Sequence, residues 1–152
     1  MNYRKATVED IDLVTDIVQT TKMTVFPKYY PKQVVDFFGQ LHSRTHIEQD
    51  IKKGLVNILI DNGKAVGTGS FKGNHITRVY VLPEFQGKGY GTYILNQIEN
   101  AIFSDYNSAY LDASLPACKF YENRGYKTVR HEELLCDTAV LVYAIMEKKL
   151  YQ

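Results

Sequence analysis

The sequence predicts an α/β chain in which helices flank one mixed sheet. Three observations predict it. Helical periodicity fills the first third of the chain, period-two segments rich in Ile, Val, Thr and Tyr follow, and a strand–helix–strand–helix run precedes two closing strands. At 152 residues the default is a single domain over 1–152. A chain of this size buries roughly 70% of the surface that its unfolded form exposes, enough for a core.

Tyr3 to Ala6 reads as an opening strand. Thr7 then caps a helix, with Asp10 three places on to close a capping box, and Ile11, Val14, Val18 and Thr21 follow at helical spacing to about Lys22. Regularity breaks at Phe26–Pro31, because proline removes a donor and restricts its predecessor. A second helix follows Pro31, with Val34, Val35, Phe38 and Leu41 on one face. Thr45 to Glu48 opens a short third helix that ends near Gly54.

The period then changes. Leu55 to Ile60 is a strand, Asp61–Lys64 a hairpin turn built on Asn-Gly, and Ala65 to Phe71 its partner. His75 to Leu82 is a third strand of this group. Gly91 to Phe103 is a helix with Ile94, Leu95, Ile98 and Ile102 on its apolar stripe. Ala109 to Ala113 is a strand, Pro116 to Asn123 a short helix, and Tyr126 to Leu135 and Ala139 to Glu147 a closing hairpin.

Hydrophobic residues make up 45% and the formal net charge is +1, which gives no bulk argument for nucleic acid or for a membrane surface. Cys118 and Cys136 have neither CxxC spacing nor histidines at metal-ligand spacing, so no metal is expected. The N-terminus has no apolar signal region and no stretch approaches the ~18 apolar residues of a membrane helix, so the chain is read as cytoplasmic.

The chemistry is written in Val79–Gly91. A strand ends at Pro83, a loop follows with Gly87, Gly89 and Gly91, and a helix begins. The first N–H groups of a helix have no internal partner, and the helix dipole adds positive charge there. Glycines let that backbone approach an anion closely, and Lys88 adds charge. A tight turn needing glycine for geometry alone is the plainer reading, but three glycines interleaved with Gln86 and Lys88 favour phosphate. The loop lacks the GK[ST] of a P-loop, and its spacing is not GxGxxG.

Gln86-Gly87-Lys88-Gly89-Tyr90-Gly91 resembles the Q/R-x-x-G-x-G/A signature of the GNAT superfamily of N-acetyltransferases. Ala117–Tyr126 resembles that family's A-x-x-F-Y-E-x-x-G-F segment. The resemblance implies a mixed, mostly antiparallel sheet flanked by helices, acetyl-CoA as co-substrate, and transfer to a primary amine of a small molecule or peptide. It implies that the backbone of Val81 and Leu82 pairs with the pantetheine arm. The N–H groups across Gly87, Lys88, Gly89, Tyr90, Gly91 and Thr92 would hold the pyrophosphate, with Gln86 at the first signature position. Tyr121 would act as general acid on the leaving thiolate. Ser114 stands where the family often has an asparagine that contacts the cofactor; its hydroxyl is a shorter substitute. His75 stands where the family often has a glutamate base, and imidazole suits base work near neutrality. Unbroken alternation would put His75 on one face with Thr77, Val79 and Val81. Asp112 and Glu84 are reserve bases.

Cys118 reads as core rather than nucleophile, His42 and His46 as solvated, and Tyr29 and Tyr30 as candidates to line an acceptor pocket. The alternative to an acetyltransferase is a non-catalytic acyl-CoA-binding module; an interaction domain with a purely structural loop is more distant. A homodimer through the C-terminal strands is compatible with the pattern.

Overall fold

The computed structural model describes residues 1–150. Seven strands form one sheet in the order β1-β2-β3-β4-β5-β7-β6. They are β1 Asn2–Lys5, β2 Val56–Asp61, β3 Lys64–Lys72, β4 His75–Val81, β5 Ser108–Ala113, β6 Lys127–Cys136 and β7 Ala139–Lys149. Every neighbouring pair is antiparallel except β4 and β5. The β2–β3 turn follows its sequence: Asn62 and Gly63 both take positive φ, as a two-residue hairpin needs.

Five helices cover the sheet: α1 Ile11–Val25, α2 Lys32–Leu41, α3 Arg44–Lys52, α4 Tyr90–Phe103 and α5 Cys118–Glu122. Before α1 the Asp10 carboxylate accepts the Thr7 N–H at 2.8 Å and pairs with Arg4 at 2.7 Å. Ser43 caps α3, its hydroxyl accepting the His46 N–H, so this helix starts ahead of the predicted Thr45. None of the helices is long and apolar enough to cross a membrane, among the described residues.

The apolar stripes fill two main cores, one on each face. Ile94, Leu95, Ile98 and Ile102 of α4 pack on Val66, Ile76, Val81, Leu111 and Met146. On the other face Val14, Ile17 and Val18 of α1 and Ile47 and Ile51 of α3 pack on Val56, Ile58 and Leu82. A smaller cluster seats Val34 of α2 on Cys136 and Leu141 of the last hairpin. Burial of the α4 side is tied by Glu99, whose carboxylate accepts the Tyr126 hydroxyl at 2.8 Å and pairs with Lys148 at 3.0 Å.

The seat of α4 is unusually close because β3 presents Gly67 and Gly69 beneath it. A Cβ at Gly67 would lie 2.8 Å from Ile94 and 2.9 Å from the Tyr80 carbonyl oxygen; one at Gly69 would lie 2.6 Å from Ile94. This strip sets how near the start of α4 comes to the end of β4. Gly67→Ala should therefore lower stability by about 1–3 kcal/mol in urea titration, since the Tyr80 backbone cannot swing aside. Gly39→Ala, inside α2 with no atom within 4 Å of an added Cβ, should be neutral or gain about 0.5–1 kcal/mol. Equal effects at the two sites would refute the close-seat account.

Candidate active site

β4 contains one residue too many for its neighbour. Val79 pairs with Gly69 and Arg78 with Ser70, but Phe71 pairs with Ile76, leaving Thr77 as a bulge. The Thr77 hydroxyl meets that of Ser70 at 2.7 Å. A bulge shifts the alternation by one residue. Ile76, Val79 and Val81 therefore all face α4. Tyr80 and Leu82 face the α1–α3 core, and Arg78 reaches Asp50 on α3. Unbroken alternation from His75 to Leu82 is thus corrected: His75 and Val79 do not share a face.

The same shift decides where the backbone points. Tyr110 N–H donates to Asn74 O at 3.0 Å, so β4 faces β5 through its even residues before the bulge. β4 and β5 pair only at His75–Tyr110 and Ile76–Leu111 and then part. After the bulge Val79 and Val81 point into the gap. Leu82 does not. Its N–H donates to Val66 O and its carbonyl accepts Phe85 N–H, both at 2.9 Å. Of the two residues expected to offer their backbone, Val81 therefore faces the gap and Leu82 does not, and Val79 faces it as well. The Val81 carbonyl already accepts Gln86 Nε2 at 2.9 Å, which leaves its N–H and both groups of Val79 open.

One turn of 3-10 helix, Pro83–Phe85, leads from β4 into the glycine loop. Gly87 (φ 77°) and Gly89 (φ 90°) hold conformations that other residues enter only with strain, and an added Cβ at either would meet nothing within 4 Å. Open space thus lies against a backbone whose next groups are the unpaired N–H groups of the first turn of α4. Gly91 answers to packing instead, since a Cβ there would lie 3.3 Å from the Phe120 ring.

Arg124, given no role by sequence reasoning, lies beside this turn. Its guanidinium stacks 3.7 Å over Phe120, donates to the Phe120 carbonyl at 2.8 Å, and donates through Nε to Thr92 Oγ1 at 2.9 Å. It places a fixed cation near the helix N-terminus. Lys88 and Tyr90 turn their side chains elsewhere: Lys88 Nζ stands 5.4 Å from the Phe85 ring centre, and the Tyr90 hydroxyl donates to Asp61.

Between the parted strands lies a cleft of about 600 Å³. It brings together Val81, Gln86, Gly87, Gly89, Gly91, Thr92, Ser114 and Tyr121. Tyr121 sits on α5 between Phe120 and Tyr126, at ring distances of 5.1 and 5.6 Å. Burial pushes its phenol well above the ordinary range, so the proton stays on. Its hydroxyl bonds to no described residue, which leaves it to the cleft. Ser114 caps the turn into α5, and its carbonyl accepts the Cys118 thiol at 3.5 Å. Burial raises the Cys118 pKa, which disfavours the thiolate.

His75 lies outside this lining. Its ring stacks on Tyr110 at 4.4 Å, and Nε2 is 3.5 Å from Asp112. It opens on an adjoining cavity of about 530 Å³ with Arg130, Glu132 and Tyr143. Asp112 lines both cavities and joins them. Glu84 pairs with Lys64 at 3.6 Å on the outer surface.

The opposite wall comes from α1, α2, the residues just after each, and β4: Thr21, Val25, Phe26, Phe38, His42 and Arg78. His46 is exposed as expected, but His42 is half-buried in this wall and not on the outer surface. Its Nδ1 accepts Arg78 Nε at 3.0 Å. Burial, then Arg78 and Lys22, push its pKa down to about 3, so the ring is neutral. Tyr29 is exposed, and the Tyr30 hydroxyl accepts Leu115 N–H at 2.9 Å, tethering the segment after Ser114.

The sequence profile of the acetyltransferase (GNAT) domain matches residues 25–150. An uncharacterized N-acetyltransferase, YafP, of Escherichia coli (strain K12) is 24% identical over 135 residues, 89% of this chain and 85% of the relative. A GCN5-related N-acetyltransferase from Rhodopseudomonas palustris superposes with a TM-score of 0.89 at 22% identity, over 98% of this chain and 95% of that one. The PaiA N-acetyltransferase of Thermoplasma acidophilum, solved in complex with coenzyme A, gives a TM-score of 0.78 at 18% identity, over 97% and 98%. These solved structures share the fold.

The His42–Arg78 contact makes its own prediction. Nitrogen-15 NMR should find the His42 ring neutral, with the proton on Nε2, from pH 8 down to pH 5. Titration of this ring near neutrality would refute the buried contact.

Proposed function

The chain belongs to the acetyltransferase (GNAT) domain family, and we propose that it moves an acetyl group from acetyl-CoA to a primary amine by direct attack. The observation that carries this reading is the parting of β4 from β5 just beyond the bulge, with the glycine loop at one end of the gap and the Tyr121 phenol inside it. The residues fit the co-substrate. Unpaired strand groups at Val79 and Val81 suit the amides of a pantetheine arm, which would add as a strand. The open space at Gly87 and Gly89 and the N–H groups of the first turn of α4 suit a pyrophosphate, with Arg124 as an added cation. The relative from Thermoplasma acidophilum, of the same fold, holds coenzyme A.

When bound, acetyl-CoA supplies a thioester that an amine can attack and a thiol that can leave. Tyr121 holds its proton through ordinary pH and is free to give it to the departing sulfur. Asp112 meets the cleft and lies 3.5 Å from His75, so an incoming ammonium can shed a proton to this pair and on to the solvent of the adjoining cavity. His75 thus serves from behind Asp112. Direct attack needs no covalent enzyme intermediate, and the raised Cys118 pKa agrees with that.

Thiol release from acetyl-CoA across a panel of primary amines tests the activity. With an acceptor that turns over, Tyr121→Phe should lower kcat by roughly 10²–10⁴-fold with little change in cofactor affinity. Undiminished turnover would remove Tyr121 from the chemistry. Binding of acetyl-CoA with no turnover on the whole panel would favour a binding module. Gly89→Val, strained by its positive φ and filling the space before the loop, should abolish measurable coenzyme A binding by calorimetry in protein that remains folded. Unaltered affinity would move the cofactor away from this loop.

A further inference from the structure

The wall of the cleft facing α1 and α2 carries a buried cation that the transfer chemistry above does not use. Arg78 is 5% exposed. Its Nε donates to His42 and its Nη1 to Asp50 at 2.6 Å. Nη2 donates to no described residue. Thr15 Oγ1 is the one buried side-chain polar atom without a partner among the described residues, so Nη2 is not sealed from solvent. The opening that Arg78 lines is the cleft.

His42 adds a second donor. A guanidinium can only donate, so Nδ1 of His42 is the acceptor and the neutral ring carries its proton on Nε2. Nε2 has no described partner, and His42 lines the same cleft. Charge is also out of balance here. Lys22 is 2% exposed, with Nζ on the Phe38 carbonyl at 2.9 Å. Burial and Arg78 lower its pKa to about 8, leaving it mostly charged at neutral pH. Two cations thus stand against one carboxylate, Asp50, with His42 neutral. A buried cation without a counter-charge is costly, and a bound anion would offset that cost. Two donors and one excess positive charge match a monoanion with two oxygens, that is, a carboxylate.

The surroundings define the rest of the ligand. Val25, Phe26 and Phe38 make the neighbouring wall apolar, and Asp112 offers the cleft a negative charge from β5. We propose that the acetyl acceptor is a free amino acid with an apolar side chain. Its carboxylate is held by Arg78 Nη2 and His42 Nε2–H, its side chain lies on Val25, Phe26 and Phe38, and its ammonium enters beside Asp112. This rests on the acetyl-transfer reading. In the reaction the ammonium loses one proton toward Asp112 and solvent. The amine nitrogen then bonds to the acetyl carbon as the carbon–sulfur bond breaks. The sulfur takes a proton from Tyr121, and the second proton shed by the nitrogen restores the phenol.

The test is calorimetric titration of coenzyme A-saturated protein with L-phenylalanine, L-phenylalaninamide, phenethylamine and the dipeptide glycyl-L-phenylalanine. Phenylalanine should bind roughly ten- to a hundred-fold more tightly than its amide or phenethylamine, the worth of a hydrogen-bonded charge. It should also bind more tightly than the dipeptide. That preference should vanish in the double variant Arg78→Gln, Asp50→Asn, which removes both members of the ion pair together and leaves no buried carboxylate stranded; its melting curve checks that it folds. Equal affinity for acid and amide, a preference that survives in the double variant, tighter binding of the dipeptide, or no binding of phenylalanine would each overturn the proposal. Thiol release from acetyl-CoA, measured separately with the same compounds, reports on the transfer reading, so a selective carboxylate site without turnover would count against the chemistry and not against the site.

Discussion

A parallel strand pair that pairs for two residues and then separates leaves backbone groups without partners, and the site grows from that opening. A buried polar backbone group must find a partner or reach water. Here the extra residue at Thr77 turns Val79 and Val81 toward β5 at the point where β5 has moved away. Without the bulge the residues facing the gap would be Arg78 and Tyr80, and their side chains would exchange sides of the sheet. The apolar core under α4, the buried Arg78 and the open strand edge are therefore consequences of one inserted residue.

Position along the gap is set by packing on both faces. The glycine strip of β3 draws α4 against the sheet, which carries the first turn of that helix to the end of β4. Phe120 of α5 rests against Gly91, and Arg124 ties α5 to Thr92, so the short helix that bears Tyr121 is held to the helix that begins at the glycine loop. The phenol and the loop thus share one rigid support, as a preorganised site requires. On the other face the turn after α1 and the helix α2 close the wall through Phe26 and Phe38, whose rings lie 4.7 Å apart.

Two guanidinium groups line the cleft at different places. Arg124 stands by the helix N-terminus, where backbone N–H groups already favour anions. Arg78 stands across the gap, buried and paired with Asp50 at 2.6 Å. Asp112 supplies the opposite sign from β5 and connects the cleft to the cavity that contains His75. A chain with a net charge of only +1 can therefore present strongly polar walls locally.

The sequence by itself determined the elements and the glycine-loop side of the cleft. The apolar stripe of α4, the Asn62-Gly63 turn, the Thr7–Asp10 pairing and the loop from Gln86 to Gly91 depend on residues a few positions apart, so spacing and side-chain chemistry are enough to read them. Tertiary structure alone decided the rest. Thr77 becomes a bulge only through its register with Ser70 and Phe71 of β3, so the faces of His75 and Arg78 and the spent backbone of Leu82 had no local signal. His42 is neutral because packing in the wall of the cleft desolvates it and Arg78, thirty-six residues away, donates to it. Arg124 belongs to the cleft because α5 packs on the start of α4. These contacts join residues remote in sequence, and only the closed fold fixes the distances and burial that give each group its partner and its protonation state.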